Sequence, residues 1–217
     1  MSELNSEIIE IIKKAGIFVY PIFLCSIVGL SIFLQKMWTL RTNKILPNTF
    51  LERLYLYLSK NKFSDALNLA SMNNSSIARI AYAGLQKNGS PKEEIKEVME
   101  EAGKREAIEL GRYTEGLATI SNVSTLLGLL GTIAGIIKVF SVISEQTVVD
   151  PPSLAGGISE ALYTTAFGLV VAIPAFIAYK YLLGRSDEFV NDLEEEGRRI
   201  IEEMTINKQQ KSEDDLL

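Results

Sequence analysis

The chain has no histidine and a single cysteine among its 217 residues. Without histidine it lacks the commonest metal ligand and the commonest general base, so a hydrolase or a metalloenzyme fits poorly. No catalytic residue, metal site or cofactor is expected. One cysteine cannot close an internal disulfide, and Cys25, set inside an apolar run, reads as a small packed hydrophobe. The basic excess that nucleic acid demands is also missing: 22 Lys and Arg stand against 27 Asp and Glu, a net charge of −5. No strand-like alternation of any length occurs, and there is neither a solenoid-period repeat nor a low-complexity linker.

What the chain does have is apolar residues gathered in blocks. They make up 47% of the composition, and the mean hydropathy is slightly positive. That pattern implies a few membrane spans with a sizeable aqueous portion. A helix rises about 1.5 Å per residue, so about 20 residues cross a hydrocarbon core of about 30 Å. Three runs meet that length: 15–35, 117–143 and 158–183. A signal peptide fits the first run poorly, because acidic residues dominate the segment before it and no A-x-A site follows. The fold class is therefore an all-α membrane protein, three transmembrane helices with long helical cytoplasmic extensions.

Charge sets the expected orientation. Lys36, Arg41 and Lys44 follow the first run, Lys180 and Arg185 flank the end of the third, and the 144–157 loop carries no Lys or Arg. The positive-inside rule then places the N-terminus and the 144–157 loop outside, and residues 36–116 and 184–217 inside. Residues 1–14 carry Ile8, Ile11 and Ile12 on one face and Glu7, Glu10 and Lys14 on the other, an amphipathic helix for the outer membrane surface. Within 36–116 a polar turn is expected at Asn73–Ser76 and a helix start at Ser90-Pro91, with Glu93 and Glu94 in the first turn. From about Lys92 the pattern runs without an evident breaker to Ile143, so one continuous helix is expected, its charges solvated or paired. After the third span, Ser186-Asp187 reads as a new helix cap, and the tail from Asn207 as frayed.

The second and third runs carry small and hydroxylated residues where lipid-facing helices carry Leu and Phe. Ser121, Thr125, Gly128, Thr132 and Gly135 recur at steps of four and three, one helical stripe. Gly131 and Gly135 form a small-xxx-small pair, which lets another helix approach closely. In the third run Glu160, Thr164 and Gly168 stack four apart, with Thr165 beside them and Pro174 in the inner half. An ionisable residue in a span is costly unless it faces protein or water, so Glu160 is a functional candidate. Antiparallel packing brings Lys138 to a similar depth; an ion pair with Glu160 and snorkelling to the outer headgroups are both open. On the residues alone, helix packing and a conduction path also both stay open, packing being the commoner use of such stripes. The GLLGTIAG run is no nucleotide loop, since it lacks the Gly-Lys-Ser/Thr ending and sits inside a span.

The stretch LLGLLGTIAGII, followed by LAGGISEALYTTAFGLVVAIPA, closely resembles the ExbB/TolQ/MotA family of proton-channel subunits, ExbB above all and TolQ next. The resemblance implies that Thr132 and Thr165 line a proton path and that Glu160 is the family's membrane carboxylate, near the outer end of the third span; Ser121, Thr125 and Thr164 join the candidate path by their place on the polar stripes. Gly128, Gly131, Gly135, Gly168 and Pro174 are assigned to helix packing. The resemblance implies a homo-oligomer, a pentamer, in the bacterial inner membrane, enclosing helices of an ExbD- or TolR-like partner that supplies the titrating carboxylate. One charge falling through 100 mV gains about 2.3 kcal/mol, enough for a few protons to drive a conformational step. The implied role is to energise a TonB-like protein for outer-membrane transport; a TolQ-like envelope or gliding motor and a non-conducting scaffold are the alternatives. The sequence departs from the family pattern at Ser124-Thr125, where Ala-Pro is usual. Losing that proline implies a straighter second span.

Overall fold

The structure, a computed structural model, describes residues 16–145 and 150–214. The amphipathic segment expected over 1–14 lies outside the described residues. Among the described residues eight helices follow in order: α1 (Val19–Thr39), α2 (Thr42–Ile45), α3 (Asn48–Ser59), α4 (Phe63–Ser71), α5 (Ser76–Gln86), α6 (Lys92–Gly111), α7 (Thr114–Glu145) and α8 (Pro151–Asp214). No strand occurs among the described residues. Three helical stretches are long and apolar enough to cross a membrane. By contacts the chain forms two compact units: Met1–Gln35 with Tyr113–Tyr181, and Lys36–Arg112 with Leu182–Leu217.

The second unit is built like a water-soluble helical domain. Apolar side chains at helical spacing close on one core: Phe50, Leu54 and Leu58 from α3, Ala66 and Ala70 from α4, and Ile77, Ile80, Ala81 and Leu85 from α5. Helix α6 adds Ile95 and Met99, and α8 adds Phe189, Leu193, Ile200 and Met204. Gly84 lets Met99 pack close, since a Cβ there would overlap the Met99 side chain, its Cγ 2.7 Å away. The local punctuation is equally explicit. Just past α3, Asn61 takes φ 55, with Lys62 N donating back to the Tyr57 carbonyl at 2.9 Å, the left-handed stop that Asn tolerates. The polar turn near Asn73 holds α5 by its start: Ser75 Oγ accepts from Ala78 N at 3.3 Å, and Asn73 Oδ1 accepts from Ser75 N at 2.9 Å.

The long helix expected from Lys92 to Ile143 is two helices. The chain breaks at Arg112 (ψ 138) and at Tyr113, whose φ of 64 is left-handed. Lys36 explains where α6 stops. The residue is 4% exposed, and its ammonium donates to the Leu110 carbonyl at 3.0 Å and the Glu109 carbonyl at 3.4 Å. These belong to the last turn, whose carbonyls have no partner within the helix and carry its negative end. A cation counted in the sequence only for topology is thus also a helix cap.

Two further boundaries differ from expectation. Helix α8 starts at Pro151, so much of the expected outer loop is helical. Proline suits a first helical turn, and Asp150 accepts from Ser153 N at 3.2 Å and from Ser153 Oγ at 2.8 Å. At Ser186-Asp187 no new helix begins; α8 runs on with Ser186 buried. Its backbone stays helical to Asp214, past the tail start expected at Asn207.

The membrane unit is put together differently. Large apolar side chains point outward: Phe23 and Leu24 on α1, Leu126 and Ile137 on α7, Leu162 and Val170 on α8. The inner contacts are made by small residues. Helix α1 meets α7 where Gly29 faces Leu117 and Ile120, and where Gly116 faces Ile32. Pro174 lies inside α8.

Candidate functional site in the membrane helices

Helices α7 and α8 approach backbone to backbone along a glycine seam. A Cβ at Gly168 would stand 2.6 Å from the Ser124 carbonyl oxygen and 3.0 Å from Gly128 Cα. One at Gly135 would stand 2.7 Å from Ala161 Cβ and 3.0 Å from the Gly157 oxygen, and one at Gly131 would run into the Thr164 side chain. Any larger residue at these places would push the helices apart. In lipid, where apolar burial gives helices little reason to associate, such close approach and interhelical hydrogen bonds are what hold them.

Two hydroxyls cross the seam in opposite directions. Ser121 Oγ on α7 donates to the Ala172 carbonyl at 2.8 Å, and Thr165 Oγ1 on α8 donates to the Gly128 carbonyl at 2.9 Å. Three others turn back on their own helix: Thr125 to the Ser121 carbonyl at 3.0 Å, Thr132 to Leu129 at 2.6 Å and Thr164 to Glu160 at 2.8 Å. Ser124 is fully buried in the seam, and its Oγ has no hydrogen-bond partner among the described residues.

The stripe seen in the sequence therefore divides. Ser121, Gly128 and Gly135 lie in the seam, whereas Thr125 is exposed and Thr132 half-buried beside it. On α8, Thr164 is buried against Gly131 and Thr165 is half-buried. At 100° per residue, Thr125, Thr132 and Thr165 fall on one flank of the helix pair. Glu160 and Lys138 fall on the other: Glu160 stands about 140° from Thr165 round α8, and Lys138 about 120° from Thr132 round α7.

On that second flank, Lys138 Nζ meets Glu160 Oε2 at 2.7 Å. The Glu160 carboxylate also lies against Gly16, just before α1, occupying the space a Cβ there would need; its Cδ is 3.2 Å from that position. Gly16 takes φ 73, a conformation glycine adopts freely. The flank with the ion pair is thus the one that α1 covers.

Sequence reasoning missed Ser124, Gly157, Ala161 and Gly16. Gly157, Ala161, Thr164, Gly168 and Ala172 form a small-residue row at helical spacing, a signal that was there to find. Gly16 carried none, because its neighbour comes from a distant part of the chain. No group of three or more Cys, Asp or Glu able to hold a metal ion occurs among the described residues.

Comparison with known proteins agrees with this architecture. The model of the MotA/TolQ/ExbB proton channel family matches residues 72–195, more than half of the chain. A putative biopolymer transport protein ExbB-like 3 of Synechocystis is 33% identical over 169 residues, 75% of this chain and 78% of that protein. A putative biopolymer transport protein ExbB homolog of Methanothermobacter thermautotrophicus is 28% identical over 191 residues, 86% of this chain and 67% of that one. Among solved structures, MotAB of C. jejuni gives a TM-score of 0.61 at 16% identity, covering 94% of this chain and 83% of its own. At that identity the likeness is one of fold.

Proposed function

Because the chain belongs to the MotA/TolQ/ExbB proton channel family, we propose that it is the ExbB-like subunit of a proton-driven motor that energises a TonB-like protein. The family and the apolar helices place it in the inner membrane as a multi-pass protein. In this reading it forms a homo-oligomer, a pentamer, round helices of an ExbD- or TolR-like partner. Its N-terminus lies outside and its C-terminus inside. The partner contributes the carboxylate that takes up and releases protons. This chain contributes the walls.

The observation that carries the reading is the division of the α7–α8 pair. A glycine seam fixes the two helices, and Thr125, Thr132 and Thr165 are left together on the flank that α1 does not cover. Hydroxyls at short intervals can pass a proton by exchanging donor and acceptor roles with water, which an apolar face cannot do. Thr125 and Thr132 are better placed than Thr165, since their hydroxyls bond only their own helix.

A second reading, a non-conducting scaffold, has its own support: each of these threonines already donates to a backbone carbonyl. Proteoliposomes separate the two. The full chain is reconstituted with and without its ExbD-like partner, and proton uptake is followed under an imposed potential. Uptake that appears only with the partner is the expected result. A stable complex that never conducts, under potentials of either sign, would favour the scaffold.

A further inference from the structure

The Lys138–Glu160 pair stands apart from the threonine flank, and three elements meet at it. Glu160 comes from α8, Lys138 from α7, and Gly16 from the turn that opens α1. Glu160 is fixed at both ends. Its carbonyl accepts the Thr164 hydroxyl at 2.8 Å, and Thr164 is itself wedged on Gly131. Its carboxylate is held by Lys138 at 2.7 Å and fills the place of a missing side chain at Gly16. The Glu160 side chain is 27% exposed and that of Lys138 63%. The carboxylate is the more enclosed partner, and it is the one that loses more if left alone.

We infer that Lys138 is a positioning residue: it holds the Glu160 carboxylate on the α1 flank, where the pair clasps α1 to α7 and α8. On this account Glu160 is a fixed counter-ion at the outer end and takes no part in the threonine path. The inference rests on the reading above for what the helices conduct, but the clasp itself is a matter of packing and charge. It can be tested without conduction.

The start of α1 carries its own reporter, because the Val19 and Tyr20 amides donate to the Gly16 and Ile17 carbonyls at 3.5 and 3.4 Å. Loosening α1 there frees these amides, and their hydrogen exchange is followed in nanodiscs on the full chain. Lys138→Met leaves the enclosed carboxylate unpaired and is expected to raise the rate about fivefold. Glu160→Gln leaves only the more exposed ammonium and is expected to raise it less. Lys138→Arg keeps the charge and should restore the wild-type rate, and the exchange Lys138→Glu with Glu160→Lys should recover most of it. An unchanged rate in Lys138→Met, or failure of Lys138→Arg to rescue, would overturn the clasp. Partner-dependent proton uptake measured on the same samples fails separately: its absence with a normal exchange pattern would count against conduction and leave the clasp standing.

Discussion

The two units of this chain achieve close packing by opposite means. In the unit containing Leu54 and Ile77, large aliphatic side chains fill the inside and charges cover the outside. In the membrane unit the large side chains face outward, and Gly128, Gly131, Gly135 and Gly168 sit where the helices touch. Water accounts for the difference. Where it surrounds the domain, burying apolar area is the main driving force, and bulk belongs inside. Where lipid surrounds it, the outside is as apolar as the inside. Stability then comes from backbone approach and from hydroxyls such as Ser121 and Thr165 that bond across the gap. Removing bulk should harm one unit, and adding bulk should harm the other.

The largest expected effect tests the first half of that contrast. Leu54 is fully buried, so Leu54→Ala should cost about 2–5 kcal/mol in the unfolding of the detergent-solubilised chain. Leu126→Ala, removing the same atoms from an outward-facing site of the membrane unit, should cost far less. Equal losses would break the comparison. The converse substitution is Gly168→Ala, whose methyl would meet the Ser124 carbonyl, a backbone atom that cannot rotate away. Overpacking of this kind costs about 1–3 kcal/mol, and a drop in the thermal midpoint together with partial loss of oligomer is expected.

Smaller effects sharpen the picture of the charged unit. Burial, and then donation to Glu196 at 2.6 Å, holds the Tyr55 phenol above its ordinary value. Tyr55→Phe should cost about 1 kcal/mol, and the tyrosine should stay un-ionised in a spectrophotometric titration after the exposed tyrosines have ionised. The smallest effect belongs to Lys87 and Glu94, a 2.7 Å pair joining the end of α5 to the first turn of α6. The lysine holds Glu94 below the ordinary carboxylate value, and the carboxylate holds Lys87 above the ordinary lysine value. The pair's contribution is therefore present at neutral pH. It is lost on the acid side as pH falls through the lowered Glu94 value, and on the alkaline side as it rises through the raised Lys87 value. Both groups are exposed, so Glu94→Gln should shift the midpoint slightly at about pH 7 and not at all at about pH 2.

Much of this was legible in the sequence for a physical reason: local patterns report local contacts. The three apolar runs, the glycine-rich wording of α7 and α8, and the turn at Asn73 each depend on residues close in the chain. The family and the all-helical class were readable from them. What escaped was set by partners far away. Lys36 caps α6 across more than 70 positions, as the 73 and 74 residue separations of its two bonds show, and only the fold brings them together. The break at Tyr113 had one faint sign, Gly111 just before it. The direction of each threonine was hidden for a different reason. Residues three or four apart share a stripe in projection, but the seam is narrower than the stripe. Seven-residue spacing selected Ser121, Gly128 and Gly135 for contact and left Thr125 and Thr132 outside it.

That division gives the central claim its most direct test. Thr165→Val would remove a bond that holds the seam as well as a candidate proton carrier, so it cannot separate the two roles. Thr132→Val can, because its hydroxyl bonds only the Leu129 carbonyl of its own helix. The measurement is partner-dependent proton uptake by proteoliposomes holding wild type or Thr132→Val, with the complex verified intact by size-exclusion chromatography. The account predicts that uptake falls to the partner-free level in the variant. Wild-type uptake in an intact Thr132→Val complex would contradict it.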